Sequence, residues 1–189
     1  MAFDIAVIVG SLRKESWTRK LAKAAMPLAP ESLACRLVEI GDLALYNEDL
    51  DLGTPPAPWT TFRQEIAEAD GILFATPEYN RSISACIKNA IDVGSRPEGK
   101  NLWTGKPAAV ISVTPYSLGG MAANLALRQC LIFTNLPVMQ QPEAYIGEVA
   151  KLLDDKGQLT SDGTKKFLTN FMARFADWVA AVKHGPGLK

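Results

Sequence analysis

Residues 3–21 read FDIAVIVGSLRKESWTRKL. The stretch Phe3–Val9 is an apolar run without helical spacing, rich in Ile and Val and closed by Gly10, as a strand buried on both faces reads. A segment rich in Ala, Leu and Lys follows from Trp17 to Ala29 and stops at Pro30, which predicts a helix. Between them lie Gly-Ser-Leu-Arg-Lys-Glu-Ser, and that junction has two readings. One is a polar turn with Ser16 as helix N-cap. The other is an anion cradle, in which backbone N–H groups and the positive helix end attract a phosphate. Ser11, Ser16 and Thr18 would add hydroxyls, and Arg13 a planar cation suited to phosphate oxygens. The spacing is neither G-x-x-x-x-G-K-[ST] nor G-x-G-x-x-G, so neither a triphosphate loop nor a dinucleotide fingerprint is indicated. On the second reading a terminal monophosphate remains.

The alternation continues outward from this junction. Leu33–Ile40 alternates as a second strand, Asp42–Pro58 is loop, and Thr60 or Thr61 could cap a helix ending near Ala69. Gly71–Thr76 is a short buried strand, Pro77–Ser82 a loop and Ile83–Val93 a helix. Gly105-Lys106-Pro107 turns into the strand Ala108–Thr114, Gly119-Gly120 opens a helix to about Phe133, and Pro137–Gln140 is a last short strand. Residues 163–183 keep apolar positions at helical spacing, and Lys183-His184-Gly185-Pro186 supplies a cationic last turn with stop signals.

Apolar strands alternating with helices predict a parallel sheet covered on both faces. Five strands favour the flavodoxin-like order 2-1-3-4-5, a three-layer α/β fold with ligands beyond the carboxyl ends of strands 1 and 3. Residues 1–184 are expected to form this single domain and residues 185–189 a tail.

Composition narrows the function. The chain has 189 residues, 48% of them hydrophobic, enough for a core without staples. Lys plus Arg and Asp plus Glu each total 20, so no global field favours nucleic acid or membrane. The N-terminal apolar run has no basic flank and is too short for a signal or a span. Cys35, Cys86 and Cys130 lie far apart without a C-x-x-C, as reduced thiols of a cytoplasmic protein would. A single histidine, His184, excludes a multi-histidine zinc site and leaves little basis for a Ser-His-Asp triad. No metal is expected.

Three loops would meet at the sheet's carboxyl edge: Gly10–Trp17, Pro77–Ser82 and Thr114–Gly120. In the second, Pro77 stiffens the turn, Tyr79 offers an aromatic face and Asn80 an amide, a set that suits a flat heterocycle with a polar edge. The third could close over the other end of such a ring. Each loop alone also reads as an ordinary surface connection.

Ser11-Leu12-Arg13-Lys14-x-Ser16, Pro77-Glu78-Tyr79-Asn80 and Lys88-Asn89-Ala90-Ile91-Asp92 with Ser95-Arg96 resemble, in order and spacing, the NAD(P)H-dependent FMN reductases. The resemblance extends to the bacterial quinone, chromate and azo-dye reductases and spans about residues 4–183. The resemblance implies non-covalent FMN, with Ser11, Arg13, Ser16, Trp17 and Thr18 holding its phosphate. It places Pro77, Glu78, Tyr79 and Asn80 along the isoalloxazine, and Ser112, Thr114 and Tyr116 at the ring's far edge. It implies ping-pong transfer from NADPH or NADH through FMN to quinones, opportunistically to chromate, azo dyes or ferric chelates. A homodimer or homotetramer is the implied assembly, with the flavin pocket completed by the neighbouring subunit. No side chain need act as acid or base; Arg96 and Tyr116 are candidate substrate contacts. The alternatives are a non-enzymatic flavodoxin-like electron carrier and a flavin-free scaffold on the same fold. The chain departs from the family pattern at Thr18 (often Asn), at Ser84-Ala85 (usually Pro-Gly) and at Tyr116 (usually small).

Overall fold

The computed structural model describes residues 1–185. Its elements run β1 (Phe3–Val9), α1 (Trp17–Ala25), β2 (Leu33–Val38), α2 (Glu48–Asp51), α3 (Ala57–Glu68), β3 (Gly71–Thr76), α4 (Ala85–Gly94), β4 (Ala108–Val113), α5 (Met121–Phe133), β5 (Ala144–Ile146) and α6 (Asp162–His184). The five strands form one parallel sheet in the order β2-β1-β3-β4-β5, as expected. Most of the tail expected at residues 185–189 lies outside the described residues.

The period-two alternation of the strands sorts the core into two layers. Ile5, Val7 and Val9 of β1 face α1 and α6, where Leu21, Phe171 and Phe175 pack. Ala6 and Ile8 face the other side, where α3, α4 and α5 supply Trp59, Phe62, Ile87, Leu127 and Leu131. Both buried indoles satisfy their N–H: Trp59 donates to the Ala44 carbonyl at 3.1 Å and Trp103 to that of Ile91 at 2.9 Å. Burial, with Asp4 nearby, pushes the Cys35 thiol up to about 11, so this cysteine acts as a packing group.

Local chemistry moves several boundaries. Pro27, which has no N–H, turns the end of the first helix into a 3-10 turn, Met26–Leu28, before Pro30 is reached. The third helix starts at Pro56 and Ala57 with Pro58 in its first turn, so Thr60 and Thr61 are interior residues and not caps. The largest correction concerns the last strand. Pro137–Gln140 makes only an isolated parallel bridge, Val138 to Ala108. β5 proper is Ala144–Ile146, in register with Ile111–Val113. Pro142 and its neighbours interrupt the edge between the two pieces, since proline cannot donate to a ladder.

Asp51 and Arg63 pin the long loop after β2 to the body. Their bidentate pair has two contacts of 2.7 Å, Arg63 Nε donates to the Val93 carbonyl, and the Asp51 side chain is 2% exposed. The hydrogen bond from Arg63 holds the Asp51 carboxyl below its ordinary range, despite the opposing effect of desolvation.

Candidate flavin site at the carboxyl edge of the sheet

The register brings the three loops to one level. Val9 pairs with Ala75 and Thr76 with Ser112, so β1, β3 and β4 release the chain side by side. Gly10 N–H still donates to the Ala75 carbonyl at 2.8 Å, tying the first loop to β3. A Cβ at Gly10 would stand 2.3 Å from Ile87 Cδ1 and 2.8 Å from Ser84 Oγ, so the loop's first residue must be glycine for α4 to approach.

The first loop has the makings of a cradle. Ser16 is the N-cap of α1, accepting from Arg19 N–H at 3.1 Å, and its own hydroxyl proton remains to be donated. Ser11, Ser16 and Thr18 are all buried. The Thr18 hydroxyl and the backbone N–H groups of residues 11–18 find no protein acceptor among the described residues. Helix starts leave such donors orphaned, and an anion satisfies them. Glu15 does not oppose this: Lys20 draws its carboxylate into a 2.6 Å ion pair, and that bond lowers its pKa. Arg13 is exposed on the loop and makes no salt bridge among the described residues. Trp17 packs on the α1–α6 core layer, with Lys20 Nζ 5.1 Å from its ring centroid.

The second loop closes as a two-residue hairpin. Tyr79 and Ser82 exchange both backbone hydrogen bonds at 3.0 Å, and Asn80 and Arg81 both have left-handed backbone, φ 51° and 65°. That is the geometry of a type I′ turn. Asn tolerates it; for arginine it costs about 1–2 kcal/mol. The Tyr79 hydroxyl reaches to 3.4 Å from Ser11 Oγ, linking the second loop to the first. Glu78 reaches across to α5, where one carboxylate oxygen accepts Ala123 N–H at 3.1 Å, a favourable place for an anion at a helix start. No spacing in the sequence announces that contact, because the partners are 45 residues apart.

Between the second and third loops lies a cleft of about 280 Å³, lined by Glu78, Asn80 and Arg81 on one side and Thr114, Tyr116, Leu118 and Gly120 on the other. Thr114 Oγ1 accepts from Tyr116 N–H at 3.0 Å, which sets the course of the third loop. Tyr116 stands 77% exposed at the rim. Wider grooves of about 420–440 Å³ exist elsewhere, one beside Trp178 and one beside Ile146 and Phe167, but neither lies where the loops after β1, β3 and β4 converge, and chemistry rather than size marks the site.

Two expected site residues are not brought here. Ser112 has no exposed surface: its hydroxyl donates to the Gly119 carbonyl at 2.7 Å and lies 3.3 Å from that of Ala144, so it ties the third loop to β5 and offers the cleft nothing. Arg96 lies past the far end of α4, whose ten residues carry the chain about 15 Å from the second loop. Asn89, on the helix behind the second loop, holds the loop after β2, donating to the Leu43 and Ala44 carbonyls and accepting from Tyr46 N–H. The departure at Ser84-Ala85 costs no backbone strain, since Ser84 is extended (φ −70°) and Ala85 begins α4. His184 packs beside Phe3 at the opposite end of β1. Among the described residues no group of three or more His, Cys, Asp or Glu is placed to hold a metal, and no helix is long and apolar enough to cross a membrane.

A doubly wound sheet with a donor-rich polar loop after β1 and a cleft between the loops after β3 and β4 defines the flavodoxin-like class. The sequence model of the family described as NADPH-dependent FMN reductase matches residues 3–151, and the chain belongs to that family. It is 57% identical over 177 residues to a quinone reductase of Pseudomonas putida, covering 94% of this chain and 95% of that one. A 2-hydroxy-1,4-benzoquinone reductase of a Burkholderia species is 42% identical over 179 residues, with 95% and 97% covered. Among solved structures, FerB, a flavoenzyme NAD(P)H:(acceptor) oxidoreductase from Paracoccus denitrificans, superposes with TM-score 0.90 at 42% identity, covering 97% of this chain and 100% of the other. The chain is therefore an oxidoreductase with FMN as cofactor and NAD(P)H as co-substrate.

Proposed function

We propose that this enzyme reduces quinones, NAD(P)H + H⁺ + quinone giving NAD(P)⁺ + hydroquinone, with donor and acceptor using one cleft in turn. FMN, when bound, supplies the two-electron chemistry that joins the two half-reactions. The observation that carries the reading is the pairing of an unspent donor cradle, Ser11 to Thr18, with the adjoining cleft at Glu78–Arg81 and Thr114–Gly120. The names of the Pseudomonas and Burkholderia relatives support quinones as the acceptors.

The roles of the residues follow from their chemistry. Arg13, the hydroxyls of Ser11, Ser16 and Thr18, and the N–H groups of α1's first turn hold the phosphate, with Trp17 bracing that turn from the core. Pro77, Glu78, Tyr79 and Asn80 set the ring's plane. Thr114 and Tyr116 bound its far side. No side chain in the cleft needs to move a proton to carbon, in keeping with the single histidine at the other sheet edge. The decisive experiment is a visible spectrum of purified protein reconstituted with FMN. Bleaching by NADPH alone and recovery on adding benzoquinone are expected; a spectrum indifferent to NADPH would support the electron-carrier alternative.

Tyr116 is the residue at the mouth. Tyr116→Gly is expected to shift preference toward larger quinones by about threefold to tenfold while FMN stays bound, a shift of the size that added pocket contact gives. Unchanged relative rates across quinones of graded size would refute this.

A second copy of the chain is the proposed cover for the apolar stripe formed by Leu118, Met121, Leu125, Ile132 and Phe133, which are 46–91% exposed. Met121, Leu125 and Ile132 share one face of α5, and the stripe is continuous with the cleft rim at Tyr116. A homodimer or homotetramer formed this way would complete the flavin pocket from the neighbouring subunit. A monomer by sedimentation at micromolar concentration would remove it. The free thiols Cys35, Cys86 and Cys130 fit a reducing, cytoplasmic setting. Chromate and azo dyes would be incidental acceptors of the same cleft.

A further inference from the structure

We propose that Arg81 is a specificity-determining residue, whose guanidinium pairs with an anionic oxygen on the molecule that lies against the flavin in the cleft. The proposal rests on the cleft being the ring site.

Arg81 is the one cation lining the cleft. Its side chain is 74% exposed, and its only ion pair among the described residues is a loose one, 3.8 Å from Glu78. Glu78 engages it only loosely: Glu78 Oε2 accepts Ala123 N–H at the start of α5, and Oε1 stays 3.8 Å from Arg81, too far for a hydrogen bond, with the carboxylate mostly buried. The planar fork of donors on Arg81 therefore remains available at the mouth, where it suits a carboxylate, enolate or phosphate oxygen. The backbone strengthens the case. Position 81 has φ 65°, which glycine or asparagine would take more readily. A residue that defies its local conformation persists where the site makes use of it. Asn80, Thr114, Tyr116, Leu118 and Gly120 around it bring no charge.

An anionic oxygen can belong to the acceptor, as in an ionised hydroxyquinone, or to the donor, as in the extra phosphate that separates NADPH from NADH. The FMN-loaded enzyme separates these. Wild type, Arg81→Gly and Arg81→Lys are assayed with an ionised hydroxybenzoquinone against a neutral methylbenzoquinone of similar size, and with NADPH against NADH. Arg81→Gly is expected to lower the charged-over-neutral ratio of kcat/KM, in one arm, by about fivefold or more through KM, with Arg81→Lys recovering part of it. The arm that moves names the source of the anion. Relief of the left-handed arginine is expected to raise the Tm of Arg81→Gly by about 2–4 °C. Ratios within twofold of wild type in both arms, with flavin bound, overturn the proposal, and a lowered Tm beside them marks a merely structural turn. Failure of the wild type to take up FMN would instead sink the flavin site, and Arg81 with it.

Discussion

Arg13→Ala is expected to raise the dissociation constant for FMN by about 10- to 150-fold. The figure is the roughly 1.5–3 kcal/mol that a hydrogen bond to a charged group contributes, converted at 1.4 kcal/mol per decade. Arg13 sits on the loop between β1 and α1, exposed, with no carboxylate paired to it among the described residues. Its neighbours in the cradle are neutral hydroxyls and N–H groups, so the guanidinium supplies the planar, full positive charge that a phosphate dianion would gain there beyond the helix end. Lys14 is adjacent but lacks the planar fork, and Arg13→Lys should keep part of the affinity for the same reason. The loss should shrink at high ionic strength, because an exposed pair is screened. Fluorescence titration of dialysed protein with FMN measures the effect. Equal flavin retention in mutant and wild type would show that the phosphate rests on the hydroxyls and helix end alone.

The polar loop between β1 and α1 is legible in the sequence because it is local. Gly10, Ser11, Arg13, Ser16 and Thr18 lie within nine residues of one another, and the strand before them and helix after them fix their directions. The same holds for Pro77–Asn80, which follow a strand buried at every position. The order of the sheet followed from alternation and handedness, both also local. What escaped was set by contacts distant in sequence. The family resemblance puts Ser112 at the ring's far edge, yet β4 is buried at every position and the Gly119 carbonyl takes its proton. Arg96 follows a motif that resembles a flavin-site helix, but helix length carries it away from the cleft. The last strand, expected at Pro137–Gln140, makes one bridge only; Gln141-Pro142 breaks the edge, and the ladder resumes at Ala144. The strain at Arg81 has no sequence signal, since a left-handed arginine is what local preference argues against.

The other large effect concerns the third loop. Gly119→Ala is expected to destabilise the fold by about 2–4 kcal/mol, lowering Tm by roughly 4–15 °C for a chain of this size. Gly119 has φ 62°, which an L side chain adopts only under strain. A Cβ there would also stand 2.6 Å from both the carbonyl carbon and oxygen of Tyr145. Those are backbone atoms of β5, and no rotamer change moves them. The Gly119 carbonyl meanwhile accepts the buried Ser112 hydroxyl at 2.7 Å, so shifting the loop outward would leave that hydroxyl without its main acceptor. From the opposite side, a Cβ at Gly147 would meet the Ser117 carbonyl oxygen at 2.6 Å, so the two backbones interleave over several residues. Gly53→Ala is the matched control: nothing lies within 4 Å of its Cβ position and its φ is not left-handed, so its effect should stay within about 0.5 kcal/mol. Urea midpoints for the two variants decide the matter, provided the m-values agree. If Gly119→Ala is as stable as Gly53→Ala, the third loop does not run against β5 as described, and the placement of Thr114 and Tyr116 beside the flavin cleft fails with it, whereas the phosphate cradle, which takes nothing from the third loop, would stand.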